Sequence, residues 1–379
     1  MRNLNCRGFN LIELMIAITL SATIIATIIS SFAQLYNLFL YNTKFLALNG
    51  ELRLAMQVVK NDTDNAGVFG SFSFHHLSTN LYQTITGSKG GECSNVACQY
   101  ETGTVGVKSF TSDSDGVISR ATLMNGSEIL RIQSGKQNAY ALTNDDTVLC
   151  QGGNCVLKKC DDGYYLNSIR FASNGLESSA TSYMLSSANR IYGLNYNRDS
   201  SARIFNPLSS GTGDFALNLA GDCDVNSVLP RIKVESYVDG EIADIFDPDI
   251  HTMELVNLVT SYYYVGTATH DSPAGLYLIR YDGKSSNPTP VLISKAISKL
   301  NISYLLDNAP TFNHVYQNDN FKRFVTCTTS DMERQTSACF NKWNNIVAVN
   351  ISLTAHGQSS SAASDKFEQS VTETVSWKL

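Results

Sequence analysis

The chain has 379 residues, 43% of them hydrophobic and only 16% charged, a balance that fits a globular protein with one apolar segment and not a polytopic membrane protein. Lys and Arg number 28 against 34 Asp and Glu, a net charge of −6. That balance weighs against a general nucleic-acid-binding surface, because affinity for DNA or RNA backbones comes mainly from Lys and Arg neutralising phosphates.

From Phe9 to Thr43 there is one charged residue, Glu13, and neither Gly nor Pro. The segment therefore predicts an unbroken helix long enough to span a bilayer. Arg2 and Arg7 precede it and Lys44 follows it. The early arginines favour an N-terminus kept in the cytoplasm, with the rest of the chain on the other side. A cleaved secretory signal is the first alternative, with Ser31-Phe32-Ala33 as its cleavage site. Against it stand the length of the apolar region and a carboxylate five residues in. A lipoprotein reading of Leu4-Asn5-Cys6 fails because no apolar stretch precedes Cys6.

An ionised carboxylate within a membrane helix costs about 2.5–3.5 kcal/mol on insertion scales unless it is paired, so Glu13 needs a partner. Cleavage after Gly8 would create one: the α-amino group of Phe9, which with a pKa of about 7.7–8.0 is largely cationic at neutral pH. The residues Arg7-Gly8-Phe9-Asn10-Leu11-Ile12-Glu13-Leu14-Met15-Ile16-Ala17 resemble the class III signal of type IV prepilins and pseudopilins. The resemblance implies cleavage by a prepilin peptidase between Gly8 and Phe9 and N-methylation of Phe9. It also implies that Glu13 is the glutamate at the fifth mature position, which staggers helices in a filament. The organisation it implies is a leader over 1–8, a pilin helix over 9–66 with 9–40 transmembrane, and a globular head over 67–379.

Past the membrane, Leu48, Leu52, Ala55, Met56 and Val59 recur at helical spacing while Glu51, Arg53 and Lys60 lie off that face. This predicts a core-facing stripe on a continuing helix, ending near Asn65-Ala66-Gly67. Beyond residue 67, short β-branched and aromatic runs alternate with Gly, Asn, Asp and Ser clusters, which indicates strands and turns. Strands are expected at Val105–Phe110, Glu128–Gln133, Tyr165–Phe171, Arg231–Tyr237, Ser261–Val265, Gly275–Tyr281, Ile302–Leu305, Ile346–Leu353 and Ser370–Trp377. The best helix signal in this region is Pro290–Leu300. The fold class is thus α+β: a long N-terminal helix packed on a large, mainly antiparallel head. A head of that size calls for two subdomains or one sheet with large insertions.

Of nine cysteines only Cys6 precedes the apolar segment; the others are Cys93, Cys98, Cys150, Cys155, Cys160, Cys223, Cys327 and Cys339. An even number beyond a membrane span points to disulfides in an oxidising compartment, not to a metal site. Cys93 with Cys98 and Cys327 with Cys339 are near enough in sequence to pair, and the other four allow three connectivities. The run Cys150-Gln151-Gly152-Gly153-Asn154-Cys155 reads as a hairpin flanked by cysteines, which would leave Cys160 for Cys223.

Several stretches narrow the resemblance to large minor pilins of the PilW type. Asn49 to Ala55, Asp62 and Ala66 to Gly70 look like that family's helix exit, and Gly126 to Ile132 like an early strand. Ser261 to Val265, Gly275 to Tyr281, Ile297 to Tyr304, Trp343 to Leu353 and Thr372 to Leu379 follow in the family's order. The middle, about Gly135 to Pro248, does not match.

Nothing in the sequence indicates catalysis or a cofactor. There is no nucleophile elbow, phosphate loop or His-Glu-x-x-His. Gly211 to Ala216 echoes a dinucleotide fingerprint without its strand-turn-helix frame and reads as a loop. His75 and His76 read as a surface loop, and the acidic groups Asp113 with Asp115 and Asp239 to Asp249 as solvated turns and not calcium loops. The expectation is a structural subunit, not an enzyme: a minor pilin that helps initiate type IV pilus assembly and sits at or near the tip. Its implied partners are other minor pilins, the major pilin, the prepilin peptidase and the inner-membrane assembly machinery. It is expected in the inner membrane, head in the periplasm, before assembly and on the pilus afterwards. The alternatives are a minor pseudopilin of a type II secretion system and a tip-borne adhesion or DNA-binding module.

Overall fold

The computed structural model describes residues 10–73, 106–112, 122–142, 254–281, 288–307, 324–340, 342–343, 346–358 and 366–376, and the backbone of short strands between 82 and 234. Gly8, Phe9, Cys93, Cys98, Cys223, the two histidines and both acidic groups lie outside the described residues.

Helix α1 runs from Leu11 to Asp64, about 80 Å at 1.5 Å per residue. Asn10 precedes it in an extended conformation, and no Gly or Pro interrupts it before Gly50. Its exit is set by glycines. Gly67 takes φ 73° and donates its N–H to the Gln133 carbonyl at 2.9 Å. Gly106, at φ +71°, passes so close that a Cβ there would sit 2.2 Å from the Gly67 nitrogen. Only glycine suits both backbones.

The first strands are β1 (Val68–Phe69), β2 (Phe72–Ser73), β3 (Tyr82–Ile85), β4 (Val107–Phe110), β5 (Thr122–Leu123) and β6 (Ile129–Leu142). The middle of the chain adds β7 (Cys150–Gln151), β8 (Asn154–Cys155), β9 (Leu157–Cys160), β10 (Gly163–Leu166) and β11 (Ser168–Ser173). There follow β12 (Ser182–Ser186), β13 (Ile191–Asn195), β14 (Phe205–Pro207), β15 (Phe215–Asn218) and β16 (Lys233–Val234). The last third holds β17 (Glu254–Thr267), β18 (Gly275–Tyr281), β19 (Val291–Ser294), β20 (Ile297–Asp307), β21 (Phe324–Thr328), helix α2 (Thr329–Glu333), β22 (Ile346–Gln358) and β23 (Lys366–Ser376).

Two sheets dominate. Among the described residues the larger has 12 strands, with β6 and β17 paired at its centre. All its pairings are antiparallel except that of β13 with β3. The smaller is a four-stranded antiparallel sheet of order β21-β20-β22-β23. The period of two is plain in β17, where Tyr263 and Val265 face the main core while Tyr262 and Tyr264 face a second cluster with Phe110, Tyr277, Ile279 and Tyr281. The main core fills the space between α1, the four-stranded sheet and the near end of the larger sheet. Leu52, Met56, Leu130, Ile302, Tyr304, Trp343, Val349 and Leu353 all lie in it. The architecture is therefore α+β, a long helix on antiparallel sheets.

The segment expected to be helical, Pro290–Leu300, is instead β19, a bend at Lys295 and Ala296, and the start of β20. Its apolar residues at 292, 293, 296, 297 and 300 imitate a helical stripe, but β18 and β22 offer it ladder partners. The pairings add main-chain hydrogen bonds that suit the β-branched Val291, Ile293 and Ile297. Expected strands at Gly275–Tyr281 and Ile346–Leu353 are present, the second extended to Gln358.

Candidate functional site

The surface that distinguishes this molecule is the first two-thirds of α1. Leu11, Ile12, Met15, Ile18, Leu20, Ile25, Ile29, Phe32, Leu35, Tyr36, Phe39 and Leu46 are each more than half exposed. The most apolar 18-residue window of the helix is 0% buried. Burial begins only at Leu48 and continues through Leu52, Ala55, Met56, Val59 and Thr63, the stripe expected from spacing. One continuous helix thus carries two surfaces, a bare apolar one and a docked amphipathic one.

The bare part is chemically suited to an apolar solvent. Five of its hydroxyl side chains bond backwards to the helix's own carbonyls: Thr19 Oγ1 to the Met15 and Ile16 oxygens at 3.0 and 2.9 Å, and Thr23, Thr27, Ser31 and Thr43 to Leu20, Ile24, Thr27 and Phe39, each at 2.8 Å. No water is needed to satisfy them. Glu13 sits in the first turn, where its Oε2 accepts the Asn10 N–H at 3.3 Å. Its charge lies against the positive end of the helix dipole.

The docked part is fixed at three heights by polar contacts as well as by packing. Ser294 Oγ donates to Glu51 Oε2 at 3.0 Å, and Lys60 Nζ lies 3.2 Å from Glu373 Oε2. At the helix exit, Asp62 Oδ2 accepts the Tyr263 hydroxyl at 2.6 Å and the Arg280 guanidinium at 2.5 Å, and Arg280 Nε also donates to Ser261 Oγ at 3.1 Å. Burial, and then the Asp62 charge, raise the Tyr263 phenol well above its ordinary pKa, so it stays a hydroxyl donor to Asp62. Four large side chains on α1 (Leu48, Leu52, Met56 and Val59) are buried against the sheets, each contributing about 1.5–3 kcal/mol as an upper estimate.

Among the cysteines, Cys327 and Cys339 form a disulfide with Sγ atoms 2.01 Å apart, as expected from their proximity. Cys150 and Cys155 stand opposite each other in the β7–β8 hairpin, the turn read from sequence, and Cys160 ends β9.

The Cys327–Cys339 bridge brackets α2, which sequence reading missed. Thr328 Oγ1 accepts the Asp331 N–H at 3.2 Å, while Asp331 Oδ2 accepts the Thr328 N–H and hydroxyl at 3.0 and 2.7 Å. These hydrogen bonds from Thr328 hold the Asp331 carboxyl below the ordinary carboxylate range. The capping-box spacing Thr328-x-x-Asp331 was the available signal. Beside it, the buried Tyr304 hydroxyl bonds Ser109 Oγ, which lies 2.7 Å from Thr329 Oγ1. Glu128 Oε2 accepts the Ile302 N–H at 2.6 Å. Burial pushes the Glu128 carboxyl above its ordinary pKa, against the opposing hydrogen bonds from Thr329 and Ile302. This polar seam joins the two sheets.

No family model, no curated protein and no solved structure matches this chain. The architecture itself, an exposed apolar N-terminal helix continuing into a helix docked on antiparallel sheets, is pilin-like.

Proposed function

We propose that this chain is a minor pilin: a prepilin peptidase substrate, held in the membrane by α1 and then assembled through the same helix into a type IV pilus-like filament, at or near its tip. The observation that carries the reading is the length of bare apolar helix. From Leu11 to Leu46 the exposed surface runs about 54 Å at 1.5 Å per residue, whereas the hydrocarbon core of a bilayer is about 30 Å thick. A simple anchor or signal needs only the first part. The excess, with Phe32, Leu35, Tyr36, Phe39 and Leu46 still exposed, calls for protein neighbours. Helices of other subunits, lying parallel and packed side by side, supply them.

In this reading the role is structural and not enzymatic. The partners are the major pilin, other minor pilins, the processing peptidase and the inner-membrane assembly machinery. Size supports a place at the tip, because a head beginning near residue 67 of 379 is hard to repeat along a dense shaft. Before assembly Glu13 caps its own helix; in the filament its carboxylate would pair with the Phe9 amine of a neighbour. Cysteine crosslinking between Leu35 or Phe39 and major-pilin helices, in sheared filaments, tests the proposal. Crosslinks to pilin helices are expected; a protein found only as membrane-embedded monomer would refute it.

A further inference from the structure

Among the described residues the four-stranded sheet ends, on its β23 side, in an open edge. β23 pairs with β22 in an unbroken antiparallel register, from Ser376 opposite Ala348 to Lys366 opposite Gln358. Among the described residues no other strand pairs with it. Its 11 residues reach about 37 Å, and every second one turns its N–H and C=O away from β22. Natural edges are usually blunted by proline, a bulge, charge or brevity. β23 has neither proline nor bulge. Of its charges, Lys366 and Glu368 lie at one end, and Glu373 is turned to Lys60 of α1. Ser370, Thr372, Thr374 and Ser376 are exposed on the outer face, while Val375 is buried on the helix side.

An antiparallel pair of β23 strands from two copies of this chain does not fit the edge. Two antiparallel β23 strands would be related by a dyad normal to the sheet. Because α1 packs on the face of that sheet, its axis runs parallel to the sheet plane, and the dyad turns it through 180°. The two apolar segments would then point in opposite directions, which two chains anchored in one membrane cannot do. A strand added to β23 lies beside α1, so its owner stands next to the same helix.

We infer that the free edge of β23 receives an extended segment from a different helix-anchored subunit, which adds a fifth strand by main-chain hydrogen bonding. This rests on the reading of α1 as a membrane and filament helix. The chemistry of the segment follows from the rows it would extend. On the α1 side it continues Val371 and Val375 with apolar residues, interrupted beside Glu373, which reaches Lys60. On the outer face it continues the pairs Thr374 with Asn350 at 2.7 Å and Thr372 with Ser352 at 3.1 Å, so Ser, Thr or Asn stand there.

The test uses the full-length protein in its own cells, with a photo-crosslinking amino acid at Ser370 or Thr372 and, as control, at the exposed Met124. Crosslinks from the edge positions, mapped by mass spectrometry to one continuous segment of a non-identical subunit, are expected, with none from Met124. Adding T374K, which leaves the buried side of the strand untouched, should lower the crosslinked fraction at Ser370 at least tenfold. Crosslinks to a second copy, crosslinks no stronger than those from Met124, or no response to T374K would each overturn the inference. Membrane retention and the mature N-terminus are read in the same samples. If they are as proposed while the edge crosslinks fail, only the edge is refuted; if the N-terminus is not Phe9, the reading of α1 fails first.

Discussion

Leu52 and Leu54 sit two residues apart on α1 and separate its two surfaces. Leu52 is 0% exposed in the main core, while Leu54 is 64% exposed. Leu52→Ala removes about three carbons from a site with no accessible surface, about 2.4 kcal/mol at 0.8 kcal/mol per buried methylene. The cavity left by incomplete relaxation brings the expected loss to about 3–4 kcal/mol. Leu54→Ala should change head stability by less than about 0.5 kcal/mol. Urea unfolding of the full chain in detergent micelles, followed by near-ultraviolet signals of the buried tyrosines, measures both. Equal losses for the two variants would refute the docked stripe. Leu54→Ala should instead weaken incorporation into sheared filaments, a readout in which a monomeric anchor would show no effect.

Four further outcomes are expected. If, as proposed, Glu13 pairs with the Phe9 amine of a neighbour in the filament, Glu13→Ala should be inserted, processed and folded but poorly incorporated, because truncating one member of such a pair, once buried, costs about 3–5 kcal/mol; normal incorporation at normal membrane levels would show the pair to be dispensable. A double-mutant cycle of Asp62→Asn with Tyr263→Phe should give a coupling of about 0.5–3 kcal/mol, and additive effects would dissolve the lock at the helix exit. The raised pKa of Glu128 means that the folded state holds its proton more tightly, so the contribution of this group to stability grows as pH falls from the raised value to the ordinary carboxyl range and is lost as pH rises again. Glu128→Gln should flatten that part of the stability profile, while Asp331, whose pKa is lowered, contributes above the ordinary carboxyl range and loses its contribution as pH falls through its lowered pKa. Finally, Cys327→Ser with Cys339→Ser should cost about 2–4 kcal/mol, and thiol titration of the denatured, non-reduced wild-type head, from about residue 67 onward and so without Cys6, should find no free thiols.

The helix was the most legible element, because its two signals are independent: an apolar run without breakers from Phe9 to Thr43, then a 3.6-residue stripe from Leu48 to Val59. Both describe single-helix properties that neighbours cannot invert. The strands were legible in position but not in extent. β17 reaches back to Glu254 with Asn257, Thr260 and Ser261 all buried, so its polar residues mark a strand covered on both faces and not a turn. β6 continues through Gly135 and Lys136 because β17 pairs with it there. Pairing, a non-local term, decided these cases, as it did for the segment 290–300. α2 escaped because its 5 residues are too few for periodicity, leaving only its capping box. For the site, Glu13 was legible as a cost that needs a partner, whereas the open edge of β23 was not, since no local pattern states which strand is last in a sheet.

The proposal that α1 is a processed pilin helix is tested at the N-terminus of the mature protein, read by intact mass and N-terminal fragmentation from isolated membranes. A chain beginning at Phe9 and heavier than the unmodified sequence by one N-methyl group is expected. A chain beginning at Gln34, the product of cleavage after Ser31-Phe32-Ala33, would remove the apolar helix and contradict the proposal.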